Sequence, residues 1–318
     1  MLLNGAASAR IHVGIGDDAA VWQPSRSHRS VITTDALVEG VHFRTGTMTY
    51  ADIGWRALAA NLSDVAAMGA RPVLATVALG IPKDFGLAHI RALYEGMKAL
   101  SQDARCTIVG GDLTRSPVLG LSITAIGEVR PSNLKLRSGG RAGDVLAVTG
   151  PLGASRAGLM LAEGAAACND PDAVEEALLA HRRPEPRWRE GLWLGASSYV
   201  HAMMDVSDGL STDAGRIAAA SGCAAALDEA IPVARSAAMV AAARGEDAAE
   251  FAIAGGEEYE LLAAVDARAF RHLAGRYAAR FRRPLLRVGE LREGSGLFRQ
   301  AGGADIALEL TGWDHFHG

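Results

Sequence analysis

Lysine is nearly missing from this 318-residue chain: of 32 basic residues, Lys83, Lys98 and Lys135 are the lysines and the rest are arginines. No lysine stands beside a glycine-rich loop and no GxxxxGK(S/T) occurs, which removes the standard P-loop. The nearest approach to GxGxxG, Gly14-Ile15-Gly16-Asp17-Asp18, lacks its third glycine and carries an acidic pair that repels a pyrophosphate unless cations intervene. A dinucleotide-binding dehydrogenase is therefore poorly supported. HExxH and GxSxG are also absent, so neither a zincin helix nor a nucleophile elbow is available. Cysteine is scarce too. Cys106, Cys168 and Cys223 are odd in number and widely separated, with neither CxxC spacing nor a disulfide framework. Cys106 and Cys223 sit in apolar settings, where a thiol behaves as a small hydrophobe.

No stretch reaches the roughly 18 to 20 continuous apolar residues that span a bilayer. The start, MLLNGAASARIHVG, lacks the basic residues and long apolar segment of a secretory signal, so a cytoplasmic protein without a membrane partner is expected. A net charge of −4 offers no concentrated basic face for nucleic acid. The length is large for one compact core and predicts two domains.

What is present is aspartate. Seven stand in short, glycine-rich, mostly uncharged settings: Asp17 and Asp18 in GIGDDAA, Asp35 in VITTDALVEGVHF, Asp64 in NLSDVAAMGA, Asp112 in IVGGDLTR, and Asp205 and Asp208 in MMDVSDGLSTD. Several close an apolar run, which reads as a buried strand delivering a carboxylate at its end. Any one of them could be a helix cap or a turn residue. Seven together, with few arginines or lysines nearby, exceed what salt bridges satisfy, and ionised carboxylates beside apolar strands are costly unless paired or bound to cations. Hard cations such as Mg²⁺ take oxygen ligands and hold substrate phosphates. The pattern points to a phosphate-handling site with several metal ions. Asp18, Asp35, Asp64, Asp112 and Asp205 are the expected oxygen ligands. Thr33 and Thr34 could add a hydroxyl and a backbone carbonyl, and Gly110 and Gly111 let the main chain approach phosphate.

The first half alternates strand and helix. Val31–Thr34, Val73–Gly80, Thr107–Val109 and Leu119–Val129 read as strands, and Leu87–Leu100 reads as a helix. Ala51–Met68 is also predicted to be helical, with Trp55, Leu58, Ala59, Leu62, Val65 and Ala66 at three- and four-residue steps, Thr49 or Asp52 as cap and Gly69 as stop. The Trp55 stripe reads as core packing. A boundary is expected near Arg130–Gly143, where proline, serine, glycine and basic residues collect. Beyond it Asp144–Thr149 and His201–Val206 read as strands. Ser155–Glu163, Ala173–His181, Arg187–Tyr199 and Asp213–Ala220 read as helices. Phe251–Ala254, Tyr259–Val265 and Leu286–Glu290 complete a mixed α/β domain.

Taken together, GIGDDAAV, TTDALVEGVHF, NLSDVAAMGA, GGDLTR, VTGPLGAS, DVSDGLSTD, GGEEYEL and GWDHF resemble the thiamine-monophosphate kinases. These belong to the superfamily of aminoimidazole ribonucleotide synthetase and selenophosphate synthetase. The likeness runs from about Val13 to Phe316. Single motifs mark the superfamily; VEGVHF, NLSDVAAMGA, GGEEYEL and GWDHF in combination mark the family. The resemblance implies an α/β (α+β), two-domain synthetase-like fold. Residues 1–137 would form an N-terminal ATP- and Mg-binding domain whose mixed sheet pairs across a homodimer, and residues 138–318 a C-terminal α/β domain. It implies transfer of the γ-phosphoryl group of ATP directly to thiamine monophosphate, giving thiamine diphosphate, with several Mg²⁺ ions. By motif, Asp18, Thr33, Thr34, Asp35, Asp64, Asp112, Asp205 and Asp208 fall on metal positions. Gly111, Asp112, Arg137 and Ser207 fall on nucleotide positions, and His42 and Glu257 on thiamine positions; Trp313 in GWDHF reads as a packing anchor for the tail or as a residue beside the substrate's rings. Asp64, Asp112 and Asp205 are the expected catalytic carboxylates.

The chain departs from the family in starting just before Arg10 and in lacking an aromatic before GGD, where relatives place one near the adenine. A selenophosphate synthetase would carry a reactive cysteine near its start, and nothing before Cys106 qualifies. The related hydrogenase-maturation enzyme ends in cysteine, whereas this chain ends WDHFHG. Another ATP-dependent synthetase of the superfamily, or a non-catalytic module stabilised by cations, remains as the alternative.

Overall fold

The structure, a computed structural model, describes residues 10–308. A short hairpin of β1 (Ile11–Val13) and β2 (Val21–Trp22) precedes the first core. That core comprises β3 (Arg29–Val38), α1 (Tyr50–Ala67), β4 (Arg71–Ile81), α2 (Leu87–Ala104), β5 (Thr107–Arg115) and β6 (Gly120–Val129). The strands form a sheet in the order β3-β6-β4-β5, with β4 and β5 parallel and the other pairs antiparallel. Strand alternation decides what each face carries. In β3, Val31 and Leu37 enter the core beneath the helices, whereas Ile32, Thr34 and Ala36 are exposed on the other face.

Helix α1 begins where its sequence says it should. Thr49 and Asp52 form a reciprocal capping box, and Gly69, with φ +69°, follows its end. Its contact with α2 depends on two glycines. A Cβ on Gly54 would lie 2.0 Å from the Leu93 carbonyl oxygen, and one on Gly96 1.8 Å from that of Ala51. No side chain fits at either place, so the two backbones meet directly.

Two short 3₁₀ turns, Pro131–Asn133 and Arg137–Gly139, lead to the second core. It runs β7 (Val145–Val148), α3 (Ala154–Ala162), α4 (Pro171–Arg182), α5 (Trp188–Gly195), β8 (Val200–Asp205), α6 (Leu210–Ala220), β9 (Ala224–Leu227), α7 (Arg235–Arg244), α8 (Ala248–Ile253), β10 (Leu261–Val265), α9 (Ala267–Phe281), β11 (Leu286–Arg292), β12 (Gly296–Ala301) and β13 (Ala304–Ala307). The seven strands are ordered β13-β12-β9-β11-β7-β10-β8 and are antiparallel except where β12 meets β9. The α/β (α+β) architecture expected from the sequence is the one found.

Helix α1 contributes to both cores. Ile53, Leu58, Leu62 and Val65 pack in the first core, while Ala66 and Ala67 pack with Val145, Leu194 and Met203 of the second core. A rigid element of this kind fixes side chains of one core against those of the other.

One reading of the sequence changes, and one segment left open is assigned. Among the candidate aspartates, Asp205 alone ends a strand; Asp35 and Asp112 lie within strands and Asp64 lies in α1. Phe251–Ala254 closes helix α8, capped by the Asp247 side chain on the Glu250 amide at 2.9 Å, because a four-residue apolar run cannot by itself tell strand from buried helix.

Candidate active site

The candidate residues gather around α1. Thr33 and Asp35 share the face of β3 that looks toward this helix. Thr33 donates its hydroxyl to Asp64 at 2.5 Å, and the Asp35 amide donates to the Asn61 side chain at 3.2 Å. One residue before Asp64, Ser63 donates to Asp205 at the end of β8 at 2.7 Å. Asp35, Asp64 and Asp205 therefore converge from β3, α1 and β8. Among the described residues none of the three forms a salt bridge.

Their electrostatics agree with that convergence. Burial, then the charge of Asp64, raises the Asp35 carboxyl to about 6. Burial, then Asp64, raises Asp205 to about 7 against the opposing hydrogen bond from Ser63. Asp64 is also raised by burial, partly offset by the Thr33 hydroxyl and the nearby charge of Arg137. Three crowded carboxylates that resist ionisation form a site short of positive charge. Among the described residues, no three acidic or imidazole groups close into a complete metal cage. Such a donor set fits Mg²⁺, which commonly uses one or two carboxylates and completes its shell with water and substrate phosphates.

Around the β8–α6 loop the carboxylates are differently served. Buried Asp213 accepts from the amides of Ser207 and Asp208 at 3.0 and 3.1 Å, which sets the loop's shape. Asp208 forms an ion pair with Arg216, which also reaches Asp213 at 3.0 Å. The Ser207 carbonyl accepts from the Glu257 amide at 2.7 Å, joining this loop to GGEEYE.

The glutamates of that motif have separate fates. Glu258 accepts from the Ser155 amide at 3.1 Å, at the start of α3. Glu260 meets Arg187, Arg283 and Thr149; burial pushes its carboxyl up, but the two arginines outweigh this and hold it below the ordinary range. Glu257 pairs with Arg56, a fully buried residue of α1. Glu257 and Tyr259 both adopt left-handed backbone, at φ +59° and +53°. Each such residue costs about 1 to 3 kcal/mol, which the surrounding contacts must offset.

Other candidates lie apart. Asp17 and Asp18 are exposed between β1 and β2, where the Asp17 carboxylate accepts from the Asp18 amide at 2.9 Å. His42 follows β3, and its Nδ1 accepts from the Val38 amide at 3.1 Å, which places the ring proton on Nε2 in the neutral form. Asp112 is exposed on β5, at the edge of the sheet opposite β3. In register it follows the row Ala36, Ser122, Ala78, all on the exposed face, so it does not join Asp35 and Asp64 within one chain. Thr34 lies on that same exposed face, bonded to the Ile123 carbonyl and Thr124. Gly111 has a structural requirement of its own, since a Cβ there would lie 1.9 Å from the Val77 oxygen. Trp313 lies outside the described residues. A cavity of about 540 Å³ between the start of α1 and α4 contains none of the candidates.

Comparison with known proteins agrees with the motifs. Residues 16–129 match the AIR synthase related protein N-terminal domain and residues 141–297 the corresponding C-terminal domain. Thiamine-monophosphate kinase of Bacillus subtilis is 33% identical over 96% of this chain and 94% of its own. A crystal structure of thiamine-monophosphate kinase from Stenotrophomonas maltophilia superposes with a TM-score of 0.84 at 37% identity, covering 93% of each chain. The chain belongs to the thiamine-monophosphate kinase family. A further relative, AaThiL complexed with AMPPCP and TMP, superposes with a TM-score of 0.81 at 31% identity, covering 92% of this chain and 89% of that one.

Within this member of the family, the sequence reading missed Arg56, Asn61, Ser63, Asp213 and Arg216. A signal existed for Arg56, which is the lone basic residue of α1. Asp213 was also visible, as a further carboxylate of MMDVSDGLSTD. The partners of Asn61 and Ser63 are set by tertiary contact and leave no local mark. Among the described residues no helix is long and apolar enough to cross a membrane.

Proposed function

We propose that this chain transfers the γ-phosphoryl group of ATP to the phosphate of thiamine monophosphate, forming thiamine diphosphate and ADP. The observation that carries the reading is the convergence of buried Asp205 with the half-buried Asp35 and Asp64, none of them in a salt bridge among the described residues, in a chain of the thiamine-monophosphate kinase family. The AaThiL complex with AMPPCP and TMP supports both substrates. An oxygen of the acceptor phosphate forms the new bond to the γ-phosphorus, and the bond from that phosphorus to the bridging oxygen of ADP breaks. Such a reaction needs its anions aligned and their charge absorbed. When bound, Mg²⁺ supplies that neutralisation. Asp35, Asp64 and Asp205 would hold it, with Thr33 orienting Asp64 and Ser63 orienting Asp205. Asp18, Thr34, Asp112 and Asp208 are the further metal positions implied by motif. Asp208 would have to exchange its contact with Arg216 for the ion.

Gly111, Asp112, Arg137 and Ser207 are assigned to the nucleotide. The proximity of Arg137 to Asp64 supports a guanidinium beside the phosphates. His42 and Glu257 are assigned to thiamine, and Trp313 is a further candidate by motif. Residues 1–137 form the ATP-binding and dimerising domain and residues 138–318 the C-terminal domain, and the enzyme works in the cytoplasm as a homodimer. The exposed face of the first sheet, where Ile32 is 67% accessible, supports the pairing. ADP release measured with thiamine monophosphate, thiamine and unrelated phosphorylated acceptors tests the assignment. Equal rates on unrelated acceptors, or none on thiamine monophosphate, would overturn it.

A further inference from the structure

Arg56 carries a full charge on an otherwise apolar stretch of α1, with its side chain wholly buried. A buried guanidinium is tolerated only where acceptors surround it. Here Nη2 forms an ion pair with Glu257, Nη1 donates to the His181 carbonyl and lies 3.2 Å from the ring nitrogen Nδ1, and among the described residues Nε meets no acceptor. One side chain of α1 thus ties together α4 and the loop before β10.

We propose that Arg56 is a positioning residue for the acceptor substrate, fixing the direction in which the Glu257 carboxylate faces it. This rests on the kinase reading above. Of the three glutamates in GGEEYE, Glu258 is committed to the start of α3 and Glu260 to Arg187 and Arg283. Glu257 differs in that its side chain remains 35% exposed while its partner is 0% exposed. A pair serving the fold alone has no need of an open side. This carboxylate is gripped from within and presented outward.

The backbone supports the same conclusion. Glu257 and Tyr259 both hold left-handed conformations, pinned by hydrogen bonds from their amides to Ser207 and Val206 at 2.7 and 2.9 Å. Strained residues persist where the surroundings over-determine them, and they concentrate at ligand sites. The buried Tyr259 phenol feels Glu257 and Arg56 as well as Asp35 and Asp205, so the Arg56–Glu257 pair stands beside the carboxylate cluster.

The experiment is steady-state kinetics of Arg56→Met, Arg56→Lys, Glu257→Gln and the Met/Gln double variant, with thiamine monophosphate and ATP varied separately and folding followed by circular dichroism. Arg56→Met is expected to raise the acceptor KM about tenfold or more while the ATP KM stays within about twofold. Arg56→Lys, which keeps the charge, should recover part of the loss. The double variant should be no worse than its more damaged parent, because both substitutions act through one contact. An unchanged acceptor KM, an equal rise in both KM values, or additive losses would overturn the proposal. Should Arg56→Met not fold, Arg56→Lys and Glu257→Gln decide: both must raise the acceptor KM selectively. A wild-type protein that does not turn over thiamine monophosphate overturns the kinase reading and this role together. Normal turnover with an unmoved acceptor KM in Arg56→Met overturns the role alone.

Discussion

Ser63 donates its hydroxyl to Asp205 across 2.7 Å, linking the helix of the first core to the last residue of a strand in the second. Its neighbour Asp64 accepts from Thr33 on the first sheet. Adjacent residues of α1 thus hold carboxylates from both cores in one place. Farther back along the helix, Trp55 donates to the Pro184 carbonyl at 2.8 Å and Asp52 meets Arg183 at 2.5 Å. The site depends on α1 as its frame, and substitutions along it separate placement of the carboxylates from their charge.

Ser63→Ala removes the one hydroxyl that Asp205 receives from α1. A buried acceptor left unsatisfied costs about 1 to 3 kcal/mol, so the variant should melt at a lower temperature. ADP release should fall as well, because Asp205 loses its orientation. Turnover and melting temperature both equal to wild type would show that the contact is dispensable.

Asp64→Asn and Asp112→Asn should behave alike in catalysis and differently in stability. Each is expected to lower kcat by about a hundredfold or more if its carboxylate helps place cations and phosphates. Asp64 sits beside Asp35 and Asp205, so its neutralisation relieves like-charge repulsion and should maintain or raise the melting temperature. Asp112 is exposed, and its substitution should leave stability unchanged. Near-normal ADP release from either variant would remove that residue from the reaction.

The legible parts of the molecule were those written in local pattern. The capping box at Thr49 and Asp52, the apolar spacing of α1 and the stop at Gly69 all lie within a few residues of what they control. Asp205 was legible for the same reason, as a carboxylate at the end of an apolar strand. Asp35 and Asp112 look equivalent in sequence, yet they belong to opposite edges of one sheet, and strand order follows from pairing between distant segments. Asp208 reads like Asp205 until Arg216, one turn beyond Asp213 on α6, is seen to reach it. Phe251–Ala254 was ambiguous because its short apolar run carries too little periodicity.

The buried His181 should give the protein a pH-dependent stability. Burial, then the charges of Arg56 and Arg182, lowers its pKa from 6.5 to about 3. Between those values the unfolded chain binds a proton that the folded chain refuses, so stability rises with pH through this window and is lost on acidification. From pH 7 to pH 5 this residue alone removes on the order of 2 kcal/mol. His181→Gln keeps an acceptor for Arg56 but cannot titrate. Its urea midpoint should therefore fall less than that of wild type between pH 7 and pH 5. Parallel midpoints for the two proteins would show that His181 is not held neutral.

The acceptor's phosphate should be needed for turnover and not merely for affinity. Three crowded carboxylates and two anionic substrates require more positive charge than Arg137 supplies. ADP release should accordingly keep rising with Mg²⁺ beyond the amount that forms MgATP, and thiamine without its phosphate should be a very poor acceptor. Saturation at equimolar Mg²⁺ and ATP, or comparable rates for thiamine and thiamine monophosphate, would contradict this.

The position of Asp112 makes a prediction about the proposed dimer. Three strand spacings of about 4.8 Å separate β3 from β5, some 14 Å in all, and Asp112 shares the exposed face with Ala36, Ser122 and Ala78. Asp35 and Asp64 face each other on the opposite side. If all three act on the same phosphates, Asp112 must reach them from the partner subunit, around the sheet edge at β3, the edge strand that carries both Asp35 and Ile32. Mixing unfolded Asp64→Asn and Asp112→Asn chains and refolding them together then gives heterodimers with one doubly damaged site and one intact site. Random pairing in a two-fold dimer makes half the molecules heterodimeric, so activity should return to about a quarter of wild type from two inactive parents. Residues that work within one chain would leave every heterodimer site damaged, and the mixture would stay inactive. Adding Ile32→Glu to both chains provides the control: a charge buried on the pairing face should yield monomers by light scattering and abolish the recovery. Recovery that survives in such monomers would rule out a shared site, as would a refolded mixture of dimers with no activity.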